Sequence, residues 1–181
     1  MTLVPHAFDR AGAALMSEFN YGDPHPGGID LRQGKDQVDR RTVKVFARIL
    51  EIADKLYERG GEGVAKSLAL FDREAQSIRY WFAWAVSSFI ADEADILAAQ
   101  MCRGYALRGI DLIDLRFPAA EKMTWMEAAV KACRRLEDRR GEASALNNLG
   151  NACSDLGEAR QAVGLYEQHL RWAIQLASAM H

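Results

Sequence analysis

Four histidines, His6, His25, His169 and His181, and three cysteines, Cys102, Cys133 and Cys153, are the residues best suited to hold a metal or attack a substrate. Their spacing supports neither task. There is no CxxC pair, and "DPH" at 23–25 has no partner at metal-ligand spacing. A structural zinc site needs four ligands converging on one point. No nucleophile stands beside a base, and no glycine-rich turn of the GxxxxGK[ST] kind is present. The expectation is therefore no catalytic residue, no metal and no cofactor. Three widely spaced cysteines also fit a reducing compartment, which points to the cytoplasm.

The other chemistry available is recognition by amides. In "LNNLGNACSDLGEARQAVGLYEQHL", residues 146–170, Asn147 and Asn151 stand four apart. That spacing places them on one helix face, away from the face of Leu149 and Gly150. A carboxamide offers both donor and acceptor, so it can hold the backbone of an extended peptide. Ser154 and Asp155 continue the same strip. Arg103, Arg108 and Asp111, earlier in the chain, are candidates to extend it. The competing reading is a solvated polar face, or amides bonding between repeats.

These side chains require helices to carry them. With 49% hydrophobic and 27% charged residues, 181 residues suit one domain with a real core. The net charge of −2 provides no field for a nucleic-acid backbone or an anionic membrane. Glu137 and Asp138 interrupt the basic run "CRRLEDRR", which reads as a solvated helix end. No basic region followed by an apolar run opens the chain, so no secretory signal is expected. The richest apolar stretch, "YWFAWAVSSFIA", is too short to span a bilayer.

Residues 1–35 differ from the rest. Pro5, Pro24 and Pro26 fall here, and "NYGDPHPGGID" cannot be a helix. A short helix around "HAFDRAGAALMSEF" fits Phe8, Ala11, Leu15 and Phe19. This N-terminal arm could fill the chain's own groove or clasp a neighbouring subunit. Residues 36–181 read as helical throughout. Val38, Val45, Ile49, Ile52 and Leu56 form one stripe, stopped by Gly60 and Gly61. "EGVAKSLALF" is a short helix or the start of a longer one, and Asp72 is a plausible N-cap for the pattern that follows. There Ile78, Trp81, Phe82, Ala85 and Phe89 face inward, leaving Tyr80 and Trp84 as a candidate ligand pocket. "ADILAAQMCRGYALRGIDLIDLR" is one further amphipathic run, ending before Pro118. No alternating segment is long enough for a strand. The fold class expected is all-α, with about seven helices joined by short loops.

Shifted by 40 residues, "MEAAVKACRRL" falls on "YEQHLRWAIQL". The segment "RRGEASALNNLGNACSDLGEARQAVGLYEQHLRWAIQLA" resembles a tetratricopeptide (TPR) repeat of the long kind. Leu146, Leu149, Gly150, Ala162 and Tyr166 carry the resemblance; Cys153 and His169 depart from it. "LALFDREAQSIRYWFAWAVSS" is similar to the helix that precedes such arrays in bacterial signal-transduction ATPases of the NB-ARC/STAND type. The resemblance implies an antiparallel helical-hairpin stack in a right-handed superhelix. It also implies an adaptor or regulatory module that binds a peptide or partner helix in a concave groove. The alternative is a sensory helical domain with a small ligand beside Tyr80 and Trp84. The last helix carries Leu165, Trp172, Ile174 and Met180, an apolar set that predicts a homodimer or a partner covering it.

Overall fold

The computed structural model describes residues 31–178, with side chains from Asp36 onward. Met180 and the short helix read around residues 6–19 lie outside the described residues, as does most of the arm. Seven helices are described: α1 Leu31–Glu58, α2 Glu62–Ala91, α3 Ile96–Arg108, α4 Ile110–Arg116, α5 Ala119–Arg135, α6 Arg139–Asp155 and α7 Ala159–Ser178. No strand occurs among the described residues. The fold is all-α.

Three hairpins make the stack: α1 with α2, α3 with α5, and α6 with α7. Each new hairpin seats its first helix against both helices of the one before. Thus α3 touches α1 and α2, and α6 touches α3 and α5. A hairpin alone leaves apolar surface in water; this arrangement buries it between neighbours.

The local sequence explains the corners. α1 ends where Gly60 and Gly61 take φ of 69° and 53°, values that cost glycine little. The α5–α6 and α6–α7 corners share one hydrogen-bond scheme. In the first, Asp138 N–H donates to Cys133 O at 2.9 Å; in the second, Glu158 N–H donates to Cys153 O at 2.8 Å. This is the Schellman closure, which satisfies helix-end carbonyls. It needs a left-handed residue, and Gly157 supplies it with φ 80°. At the first corner that residue is Glu137, with φ 55°. Asp95 and Asp138 cap α3 and α6, accepting from Ala98 N–H at 3.0 Å and Gly141 N–H at 2.9 Å.

Three sequence expectations are corrected. α1 begins at Leu31, within the last residues of the span read as the arm. Asp72 is not a cap; α2 runs unbroken through it, and Asp72 pairs with Arg116 at 2.7 Å. The run from 94 to 116 is not one helix but two, broken at Gly109. A Cβ there would stand 2.5 Å from Leu50 Cδ1, so glycine at the break leaves room for that α1 side chain. The stripe chosen for α1 is the wrong one. Val38, Val45 and Ile52 are 60%, 54% and 43% exposed, whereas Val43, Ala47, Leu50 and Ala53 are buried.

The core centres on aromatic rings from three helices and the α4–α5 connection. Phe82 of α2 stacks on Trp125 of α5 with centroids 3.8 Å apart. Phe117 meets Trp125 edge-on at 5.1 Å, and Tyr105 of α3 lies 6.5 Å from the same ring. Such pairs add about 0.5–1.5 kcal/mol each beyond their burial. Tyr105 is fully buried, and its hydroxyl donates to Val43 O of α1 at 2.7 Å. Ile78, Phe82, Ala85 and Phe89 face this core as expected. Trp81 is half-buried; it packs against this core and stacks on Phe46 of α1 at 6.3 Å.

Candidate partner-binding surface

The polar strip of α6 consists of half-buried Asn147 and exposed Asn151, Ser154 and Asp155. The opposite side of α6 fixes its orientation. Leu146 and Leu149 are buried, and Gly150 faces Tyr166 of α7. Asn151 is tied to that hairpin as well, its Oδ1 accepting from the Tyr166 hydroxyl at 2.9 Å. Its amide N–H groups are distinct from this bond, so Asn151 keeps donors to offer. His169, the departure from the repeat pattern, is half-buried and bonds through Nδ1 to Ala143 O at 2.9 Å. It latches α7 to the start of α6.

At the C-terminal end of α6 the strip meets a charge cluster that the sequence reading missed. Lys122, at the start of α5, bridges Asp155 at 3.0 Å and Asp114 of α4 at 3.3 Å. Burial alone would lower the Lys122 ammonium; the two carboxylates outweigh it and hold it above its usual value. Asp155 therefore sits within an ion pair.

The other three candidates divide. Arg103 pairs with Asp138 at 2.6 Å, joining α3 to the cap of α6. That is a fastening between hairpins. Arg108 is exposed and reaches Glu51 of α1 at 3.5 Å. Asp111 is exposed and adds its negative charge to the surroundings of Asp54. Burial first, then Glu58, Asp111 and Glu51, push the Asp54 carboxyl up to about 6. Arg108 and Asp111 thus gather with α1 residues, whereas Asn147 and Asn151 lie on α6.

Tyr80 and Trp84 are half-buried in a line of rings. Tyr80 meets Trp81 edge-on at 5.0 Å, and Trp81 meets Trp84 at 6.1 Å. The neighbouring rings occupy one another's faces and edges along α2. On α7, Ile174 is exposed together with Val163 and Leu170. Leu165, expected on that outer surface, is buried instead, because it falls on the α6-facing side with Ala162. Trp172 is half-buried, with the Arg139 guanidinium 5.2 Å above its ring.

Cys102, Cys133 and Cys153 are buried free thiols. Burial pushes the Cys133 thiol up to about 12 and the Cys153 thiol up to about 11, far from reactive thiolate. Among the described residues no three His, Cys, Asp or Glu side chains converge as metal ligands. No described helix is long and apolar enough to cross a membrane. Compared with known proteins, the chain matches no family model, no curated protein and no solved structure.

Proposed function

We propose that this chain is a protein–protein interaction module of TPR-like type, an adaptor or regulatory scaffold that holds a peptide or a partner helix. One observation carries the reading. The first helices of successive hairpins contact each other, α1 with α3 and α3 with α6, forming a continuous row. In a hairpin stack such a row lines one surface of the solenoid. On α6, the last helix of that row, half-buried Asn147 and exposed Asn151 stand four residues apart. The exposed Val163, Leu170 and Ile174 offer a separate apolar face on α7 for a second subunit or a partner. The cytoplasm is the compartment that fits three free thiols.

The direct test is affinity capture from the native cell, comparing the intact chain with Asn147→Ala/Asn151→Ala. A protein held by the first and lost by the second supports the groove.

The alternative, a small ligand at Tyr80–Trp84, is favoured by the half-buried rings of that line. Tryptophan emission titrated with metabolite pools separates the two. A saturable shift abolished by Trp84→Leu supports the ligand reading.

A further inference from the structure

The first and last described helices of the stack each leave an apolar side open. On α7, Val163, Leu170 and Ile174 are exposed. Shifted by 40 residues, they fall on Met123, Val130 and Arg134 of α5. Those three α5 positions share one helix face. In α5 that face is covered: Val130 is 6% exposed, against 57% for Leu170. Arg134 bonds Glu142 of α6 at 2.6 Å, so this side of α5 carries the first helix of the next hairpin. α7 presents the corresponding side, and among the described residues no helix follows to cover it.

α1 supplies the complementary side. It is the first helix of its hairpin, as α3 and α6 are of theirs. α3 lies against α2, and α6 against α5, in each case the second helix of the hairpin before. Among the described residues no such helix precedes α1. Its outer side carries exposed Val38, Val45 and Ile52, with half-buried Ile49 and Leu56 beside them.

We infer that this protein associates head to tail, α1 of one copy seating on the α7 face of the next and repeating the α5–α6 junction between chains. Such a contact joins two unlike faces, so a pair of copies keeps one open face of each kind and can extend. Charge favours it over α1 packed on α1. Arg41 and Lys44, exposed beside the α1 stripe, form no ion pair among the described residues. Two α1 helices face to face would set these cations against their own kind, which like charges oppose. The α7 face instead offers Glu167, whose own partner Arg171 stands at 4.0 Å. The contact uses neither Asn147 nor Asn151, so it stands or falls apart from the groove.

The test is sedimentation velocity on the full chain and on Leu170→Arg and Val45→Arg, each altered at an exposed position and first shown to be folded by circular dichroism. The intact chain is expected to grow with concentration past the mass of two chains. Each variant alone is expected to stay at one chain, because every copy has lost one of the two faces. Mixed, they are expected to give a one-to-one dimer and nothing larger, with α1 of Leu170→Arg on the α7 face of Val45→Arg. A dimer of Val45→Arg alone would show α7 paired with its own copy, and a dimer of Leu170→Arg alone would show the same for α1. Either result overturns the proposal, as does an intact chain that stays monomeric at high concentration or a mixture that forms no dimer.

Discussion

Tyr166 lies against Gly150 so closely that a Cβ at Gly150 would stand 2.5 Å from the ring Cε1, while its hydroxyl bonds to Asn151 one residue on. One side chain of α7 thus sets both the approach of the last hairpin and the orientation of an amide on the proposed binding strip. Gly150→Ala forces the ring outward. The expected cost is about 2 kcal/mol by urea unfolding, within the range for overpacking. Adding Tyr166→Ala should return part of it, since the two changes share one contact.

The two Schellman corners predict opposite effects from gaining and from losing a glycine. Glu137 holds φ 55° where glycine is at ease, so Glu137→Gly is expected to stabilise by about 0.5–1 kcal/mol. Gly157→Ala, at φ 80°, is expected to destabilise by about 1 kcal/mol. Thermal unfolding of both variants checks the pair.

Stability should depend on pH with two opposed slopes. Asp54 has a folded pKa of about 6, above its ordinary 3.8. The folded state therefore binds this proton more tightly. Stability falls as pH rises from about 4 to 6 and stays reduced above that. Asp138 is held below 3.8 by the Gly141 N–H, with Arg103 adding to it against the opposing effect of burial. Burial would raise Asp95, but Arg40 and the Ala98 N–H outweigh it and hold it down. Those two carboxylates stabilise above about pH 4, and their contribution is lost as pH falls through their folded pKa values. The account expects maximal stability between about pH 4 and 6. Asp54→Asn should flatten the slope between 4 and 6 and add about 1 kcal/mol at pH 7, after solvent screening is allowed for. Unfolding midpoints at four pH values decide this.

Arg103 separates a fastening from a binding contact. Its bond to Asp138 joins two hairpins. Arg103→Ala is expected to lower stability by about 1 kcal/mol, as partly exposed charged hydrogen bonds do. Arg103→Lys, which keeps the charge, should recover part of that. Equal melting of all three proteins would remove Arg103 from the stack's framework.

The hairpin at 139–178 was readable because its signals are local. Gly150, Gly157, Ala162 and Tyr166 each act on a neighbour within about one helix length, and each lies where that reading places it. α1 was misread for a physical reason. It carries two apolar stripes of helical period, and periodicity alone does not say which faces the core. The break at Gly109 falls inside a run the sequence read as continuous, and the side chain Gly109 accommodates, Leu50, belongs to another hairpin. The same holds at the strip. Asp155 and Arg103 read as open polar residues, yet their partners Lys122 and Asp138 stand 33 and 35 positions away. Leu146 and Leu149 are buried while Asn147 is half-buried and Asn151 exposed, because the alternation of amide and leucine on α6 orients the helix by itself.

The proposed function rests on the α6 strip, and the most direct measurement is a three-way affinity capture from the native cell. The baits are the intact chain, Asn147→Ala/Asn151→Ala, and Tyr166→Phe, each first shown to be folded by circular dichroism. Tyr166→Phe removes the same Tyr166–Asn151 bond while leaving both amides in place. The account predicts a protein partner retained by the intact chain, held more weakly by Tyr166→Phe and lost by the double variant. A partner held equally by all three, or none held by the intact chain, would contradict it.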